Sequence, residues 1–127
     1  TYFSTNLTDD NALGVILLNF VPSVSQNLPR NTNAEVFASI EEDLNQASTL
    51  ITLTSSTTRT FVSRDFVSAL RARIAAYRGK YAEADQLAAQ LLTTYPIANK
   101  TQYKNMYLDT DNTEVIFKLE RADGDSY

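Results

Sequence analysis

The strongest constraint on the fold of this chain is the stretch 63–96, SRDFVSALRARIAAYRGKYAEADQLAAQLLTTYP, in which a single glycine separates two apolar runs at helical spacing. Before Gly79, residues Phe66, Leu70, Ile74 and Tyr77 recur every three or four positions, flanked by Ala69, Ala72 and Ala76. A helix gathers them into one stripe that has to be buried. Ser63 stands ready to cap its start, Asp65 lies in its first turn, and Arg71, Arg73 and Arg78 follow, the charge order a helix dipole favours. After Gly79, residues Ala84, Leu87, Ala88, Leu91 and Leu92 share a face opposite Glu83, Asp85 and Gln90. Gly79 takes the left-handed conformation that ends a helix, and Pro96 cannot continue one. A link this short sets the two helices antiparallel, and the alanines let their axes approach the lower end of the usual ~8–10 Å range. The spacing predicts helices over about 64–78 and 81–94.

A third helix is expected over about 34–51. Thr32 and Glu35 have the capping-box spacing ahead of Val36, Phe37, Ile40, Leu44, Ala47 and Ile51 on one face, with Glu41, Glu42 and Asp43 on the solvated side. Short extended segments are expected near 13–18, where LGVILL is rich in β-branched residues, and near 114–119, where Val115, Phe117 and Leu119 alternate as in a strand. Pro22 and Pro29 mark an extended connector over 22–31, and the Ser/Thr-rich 52–60 reads as a loop. Tyr103, Met106 and Tyr107 fit one face of a short helix or turn, while the segment containing Tyr2 and Phe3 and the terminal RADGDSY read as polar ends. The fold class is mainly α, built of antiparallel helix pairs.

With 127 residues and 43% hydrophobic content, the chain suits one domain, burying roughly two thirds of the surface its unfolded form exposes. A formal charge of -4 argues against a nucleic-acid partner, which needs basic residues concentrated on one face. The absence of both Cys and His removes zinc and iron–sulfur ligation, Cys and Ser–His nucleophiles, and the commonest general acid–base group. A non-enzymatic protein is therefore expected, with no catalytic residue, no cofactor and no resident metal. The longest apolar run, 12–21, is broken by Gly14 and Asn19 and falls short of the about 20 residues that span a bilayer. The chain starts on Thr1 and not on Met, which suggests a processed product or a piece of a larger protein.

Gly79, Tyr81, Ala84 and Pro96 have the relative spacing of tetratricopeptide repeats, in which the glycine turns the chain, the aromatic packs beneath it, the alanine admits the neighbouring helix and the proline closes the unit. Ser68, Arg71 and Ala75 depart from that pattern, standing where the first helix of such a repeat carries bulky residues. A longer resemblance runs through five pieces: LGVIL, VFASIEEDLNQA, SRDFVSALRARIAAYRGKYAEADQLAAQLL, QYKNMY and EVIFKLER. In order and spacing they resemble the central, tetratricopeptide-like part of SusD/RagB-family proteins. Ile16 departs from that family, which often has proline after the Gly-Val pair.

The resemblance implies a single SusD-like helical domain over 1–127, or a fragment of a larger chain. It further implies a glycan- or nutrient-binding lipoprotein on the cell-surface face of the outer membrane in Bacteroidota, partnered by a TonB-dependent transporter. This chain would supply mainly the scaffold. The alternative is a tetratricopeptide-like module for protein–protein interaction, with its oligomeric state open. Exposed apolar faces at Val36, Phe37 and Ile40 would then ask for a covering surface, a second copy among the possibilities.

Three groups of residues invite a site. Aromatic rings stack on sugars, so Tyr95, Tyr103 and Tyr107 suggest a glycan platform, with Tyr103 and Tyr107 the retained candidates; the plainer reading is half-buried packing with a wet hydroxyl. Asp109, Asp111, Asn112 and Glu114 bring oxygen ligands close together, as a calcium ion requires, but the glycine of an EF-hand loop is missing and the same residues favour a solvated turn. Of the helix arginines, Arg73 is expected to be structural, bonded near the hairpin, with Arg71 and Arg78 solvated.

Overall fold

The computed structural model describes residue 4 and residues 6–119. It is helical, with α1 over Asn33–Leu50, α2 over Arg64–Tyr77, α3 over Tyr81–Leu92 and α4 over Lys100–Tyr107. The three long helices thus lie within one or two residues of their predicted bounds, and the 103–107 face belongs to a true helix. Tyr2, Phe3 and the polar tail after Leu119 lie outside the described residues.

Each helix begins for a legible reason, with one exception. Thr32 and Glu35 close the predicted capping box on α1, and the bond that Glu35 accepts from the Thr32 backbone N–H, followed by those from the Asn31 and Thr32 side chains, holds its carboxyl below the usual range. Ser63 is fully buried and its Oγ accepts from the Phe66 N–H at 3.3 Å, as expected of the α2 cap. The 52–60 loop feeds the same helix end: the N–H groups of Arg64 and Asp65 donate to the Leu53 and Thr54 carbonyls, and Arg64 Nε reaches the Ile51 carbonyl. Asn99 and Gln102 form a second capping box on α4. Helix α3, by contrast, starts at Lys80 with no side-chain cap. Gly79 links α2 and α3 at a φ of +73°, the left-handed geometry predicted for it.

Packing centres on α2. Its contact with α3 is the most extensive between helices, and Ala69, Ala72, Ala88 and Leu91 line the groove between the two. On its other side α2 meets α1, where Arg71 Nε lies 3.3 Å from Glu41 and Arg71 Nη2 bonds Asn45 Oδ1 at 2.5 Å. The face of α2 that is sealed carries Val67 and Ala75, each 3% exposed, whereas Tyr77 points outward and Phe66, Leu70 and Ile74 are half-buried. The expected stripe is therefore rotated, because α2 is flanked by two helices and divides its apolar residues between them. The arginine expectations reverse for the same reason. Arg71 bonds α1, Arg78 bonds Asp10 at 2.5 Å and lies 4.5 Å over the Phe37 ring, and exposed Arg73 has no hydrogen bond or ion pair among the described residues.

Ser4 and the 6–12 loop are stitched to the start of α1 by Asn33, which is 2% exposed and donates from Nδ2 to Ser4 Oγ, the Asn6 carbonyl and the Asp9 carbonyl at 3.0, 2.7 and 2.8 Å. The 13–18 segment is extended but forms no sheet among the described residues. Leu13 makes one antiparallel bridge to Thr32, and the Gly14 and Asn31 N–H groups bond the Asn31 and Val15 carbonyls. Gly14 fits closely there: a Cβ would stand 3.1 Å from Val36 Cγ2 and 3.2 Å from Asn33 Oδ1, so a side chain would have to push these neighbours aside. The 114–119 segment is not a strand either: among the described residues it has no second strand to pair with, and a ladder-like bond runs from the Lys118 N–H to the Arg59 carbonyl at 2.7 Å while Phe117 packs edge-on against Phe66 at 5.2 Å.

Candidate functional site

The residues singled out for function gather around α4 and the turn that follows it. Helix α4 presents Tyr103 and Tyr107, one turn apart, so both rings project on one side. They are 52% and 77% exposed, their centroids are 5.2 Å apart at an interplanar angle of 69°, and their hydroxyls lie 3.0 Å from each other. That hydroxyl contact, more than any other neighbour, raises the Tyr103 phenol above its ordinary pKa. With Met106 and Val115 the pair lines a shallow depression of about 180 Å³. An edge-to-face pair of this kind offers an open ring face beside a hydroxyl pair, a surface able to stack on the apolar side of a sugar ring and bond its hydroxyls.

Tyr95 is elsewhere. It is 3% exposed, its hydroxyl bonds Asp65 Oδ2 at 2.8 Å, and the Arg59 guanidinium lies 4.6 Å over its ring. Burial first, and the Asp65 carboxylate second, push its phenol pKa up. Tyr95 is thus a core residue that ties the end of α3 to the start of α2, and it drops out as a platform residue.

Three of the four candidate oxygen ligands of the 109–114 turn, Asp109, Asp111 and Glu114, are spent on their own surroundings. Asp109, at a φ of +57°, pairs with Lys118 Nζ. Asp111 Oδ1 accepts from the Thr113 side chain and N–H at 2.6 and 2.7 Å, and these bonds hold its carboxyl below the usual range. Glu114 Oε1 accepts from the Ala98 N–H at 2.5 Å. Among the described residues no group of three or more acidic, His or Cys side chains converges as a metal would require. Asn112 Oδ1 is buried without a partner, as is Arg59 Nε, and both residues line a polar depression of about 550 Å³ between the 52–60 loop and this turn. Sequence patterns gave no hint of this meeting, because Arg59 and Asn112 lie far apart in the chain.

An apolar groove of about 470 Å³ opens between α2 and α3, lined by Ala69, Ala72, Ala88, Leu92 and Ile97 and reached by Ile116. Tyr81, which a tetratricopeptide repeat would pack beneath the glycine, is instead 73% exposed, and the neighbour of Gly79 is Thr8. Among the described residues no helix is long and apolar enough to cross a membrane.

No protein-family profile matches the chain, and no curated protein matches it either. Solved structures do match. A SusD superfamily protein from Bacteroides vulgatus aligns at a TM-score of 0.73 and 25% identity over 98% of this chain and 30% of that one. A SusD superfamily protein from Bacteroides thetaiotaomicron aligns at 0.68 and 20% identity over 87% of this chain and 24% of its own. A SusD-like protein from Bacteroides fragilis aligns at 0.64 and 26% identity over 88% and 24%. The chain spans less than a third of each of these proteins, and over that span its helices, their order and their packing carry the SusD-superfamily fold.

Proposed function

We propose that this chain is the helical scaffold portion of a SusD-like nutrient-binding protein that holds a glycan by non-covalent contact and performs no covalent chemistry. The observation that carries this reading is the correspondence with a SusD superfamily protein over 98% of the chain at a TM-score of 0.73. The relatives are more than three times the length they share with it, so we read 1–127 as one part of a longer polypeptide whose remaining segments cover the α2–α3 groove and supply further binding surface. The expected setting is the outer membrane, lipid-anchored at the cell surface beside a TonB-dependent transporter. Tyr103 and Tyr107 are the proposed sugar-stacking residues of this part.

Affinity electrophoresis and calorimetry of the intact protein against a glycan panel test this reading. Binding that falls roughly tenfold in Tyr103→Ala or Tyr107→Ala, about the worth of one aromatic stacking contact, supports the tyrosine shelf. Binding to no glycan sinks the nutrient reading. A second reading, a helical interaction module that binds a peptide or protein, draws on the apolar α2–α3 groove. Neighbouring genes separate the two: a TonB-dependent transporter beside this gene favours uptake, and its absence favours the interaction module.

A further inference from the structure

Helix α4 carries its two tyrosines so that their hydroxyls meet as well as their rings. Tyr103 Oη and Tyr107 Oη are 3.0 Å apart, at the tips of side chains in residues 52% and 77% exposed. In such a contact one phenol donates to the other, which leaves the pair one proton to donate outward and oxygen lone pairs with which to accept. The bond to Tyr107 also raises the Tyr103 phenol above its ordinary pKa, so that group keeps its proton at neutral pH. A donor and an acceptor therefore stand side by side at the surface, one hydrogen-bond length apart.

A vicinal diol is the complement of that pattern. Two gauche hydroxyls on adjacent carbons hold their oxygens about one hydrogen-bond length apart, and each can donate and accept. One of them takes the free phenol proton while the other donates to the neighbouring phenol oxygen. A lone hydroxyl makes only half of this contact, a carboxylate has no proton to give, and an ammonium has no lone pair to offer.

The pair is held before a ligand arrives. The rings lock edge to face, with centroids 5.2 Å apart, and tyrosine presents its contact area at low cost in conformational entropy. Gln102 closes the capping box of α4 and also bonds Thr113 Oγ1 at 3.1 Å, which fastens the helix to the chain leading into Val115. Met106 and Val115 complete the depression of about 180 Å³ beside the rings. That is smaller than the about 300 Å³ at which pockets for larger ligands begin, so it suits one ring, whose C–H face the apolar lining accepts.

We propose that the Tyr103–Tyr107 hydroxyl pair recognises a vicinal diol, so that the sugar taken at this shelf is a ring with gauche hydroxyls on adjacent carbons, a proposal that rests on the glycan-binding role argued above. The test is residue-resolved NMR of the intact protein titrated with methyl glucoside, methyl galactoside and methyl mannoside. A methyl glucoside lacking the hydroxyl on carbon three, and so left with no adjacent pair, serves as comparison. The three glycosides should shift the Tyr103 and Tyr107 ring signals, and the deoxy analogue should bind roughly fivefold to tenfold more weakly than its parent, the effect of losing one hydrogen bond. Tyr103→Phe and Tyr107→Phe keep both rings for stacking and should leave the melting temperature in place. Each should weaken the glucoside by a similar factor and abolish its advantage over the deoxy analogue. Full affinity in both Phe variants together with loss in Tyr103→Ala overturns diol recognition and leaves the nutrient reading standing through stacking. Equal binding of glucoside and deoxy analogue by the wild type does the same. Binding elsewhere on the protein with the two tyrosines unmoved overturns this proposal alone, and binding of no glycan anywhere overturns both.

Discussion

The starts of α1 and α2 differ from the start of α3 in how they are held. Asn33 and Ser63 sit fully enclosed at the first two, Asn33 bonding the preceding loop and Ser63 capping the first turn of its own helix, whereas α3 begins at Lys80 without a side-chain cap and contains no buried residue. Among the described residues only four hydrophobic side chains are buried: Leu44, Val67, Ala75 and Tyr95. With so small an apolar core, the geometry of the first two helices depends on enclosed polar junctions, and α3 depends on its packing against α2. Buried polar groups with defined partners admit one arrangement, while small apolar contacts tolerate sliding.

The contrast sets an order of effects. Asn33→Ala should be the most damaging change, because it removes all three bonds that an enclosed amide makes to Ser4, Asn6 and Asp9; about 3 kcal/mol of stability should go, measured by urea denaturation. A loss below about 1 kcal/mol would mean that the 6–12 loop is not fastened through this amide. Ser63→Ala should follow at about 1–2 kcal/mol, since the cap is enclosed and water cannot replace it.

Tyr95→Phe removes the bond to Asp65 and should cost about 1 kcal/mol near neutral pH. Its pH signature is more telling. The phenol's pKa is higher in the folded state than in the unfolded one, so its contribution is complete below the ordinary tyrosine value of about 10 and disappears as pH rises through the raised folded value. Melting curves of the wild type should therefore lose stability in that alkaline window, and the Phe variant should lose less there. Parallel curves for the two proteins would refute the buried Tyr95–Asp65 pair.

At the weakly held end, Lys80→Ser should stabilise the protein by about 0.5–1 kcal/mol by supplying the cap that α3 lacks. Destabilisation would show that Lys80 has a role beyond the helix start. The smallest effect is expected from Tyr81→Ala, within about 0.5 kcal/mol of wild type because the ring is mostly in solvent. A loss of 2 kcal/mol or more would instead assign Tyr81 the packing role that its tetratricopeptide spacing implies.

The candidate site was only half legible in the chain. Tyr103 and Tyr107 could be read because residues four apart in a helix share a face, and the structure keeps both on an exposed face. Tyr95 carried the same signal of residue type and proved to be core, because its environment is set by Asp65 and Arg59, each some thirty residues or more away. The Arg59–Asn112 depression had no sequence signature at all, since its two sides come from separate loops that meet only in the folded chain.

Local chemistry alone accounts for the helices and their ends. The Thr32–Glu35 box, the Ser63 cap, Gly79 at positive φ and the apolar periodicity all act within three or four residues, so they are written in the order of the amino acids. Which face of α2 is sealed, which arginine is bonded and whether 114–119 finds a strand partner depended on groups brought from afar. Arg71 meets Glu41 across 30 positions and Arg78 meets Asp10 across 68, and both pairings exist only because α1 and the 6–12 loop fold back onto the same helix. Burial is a property of what stands opposite a residue, and for α2 two different neighbours stand opposite, which no single helical stripe expresses.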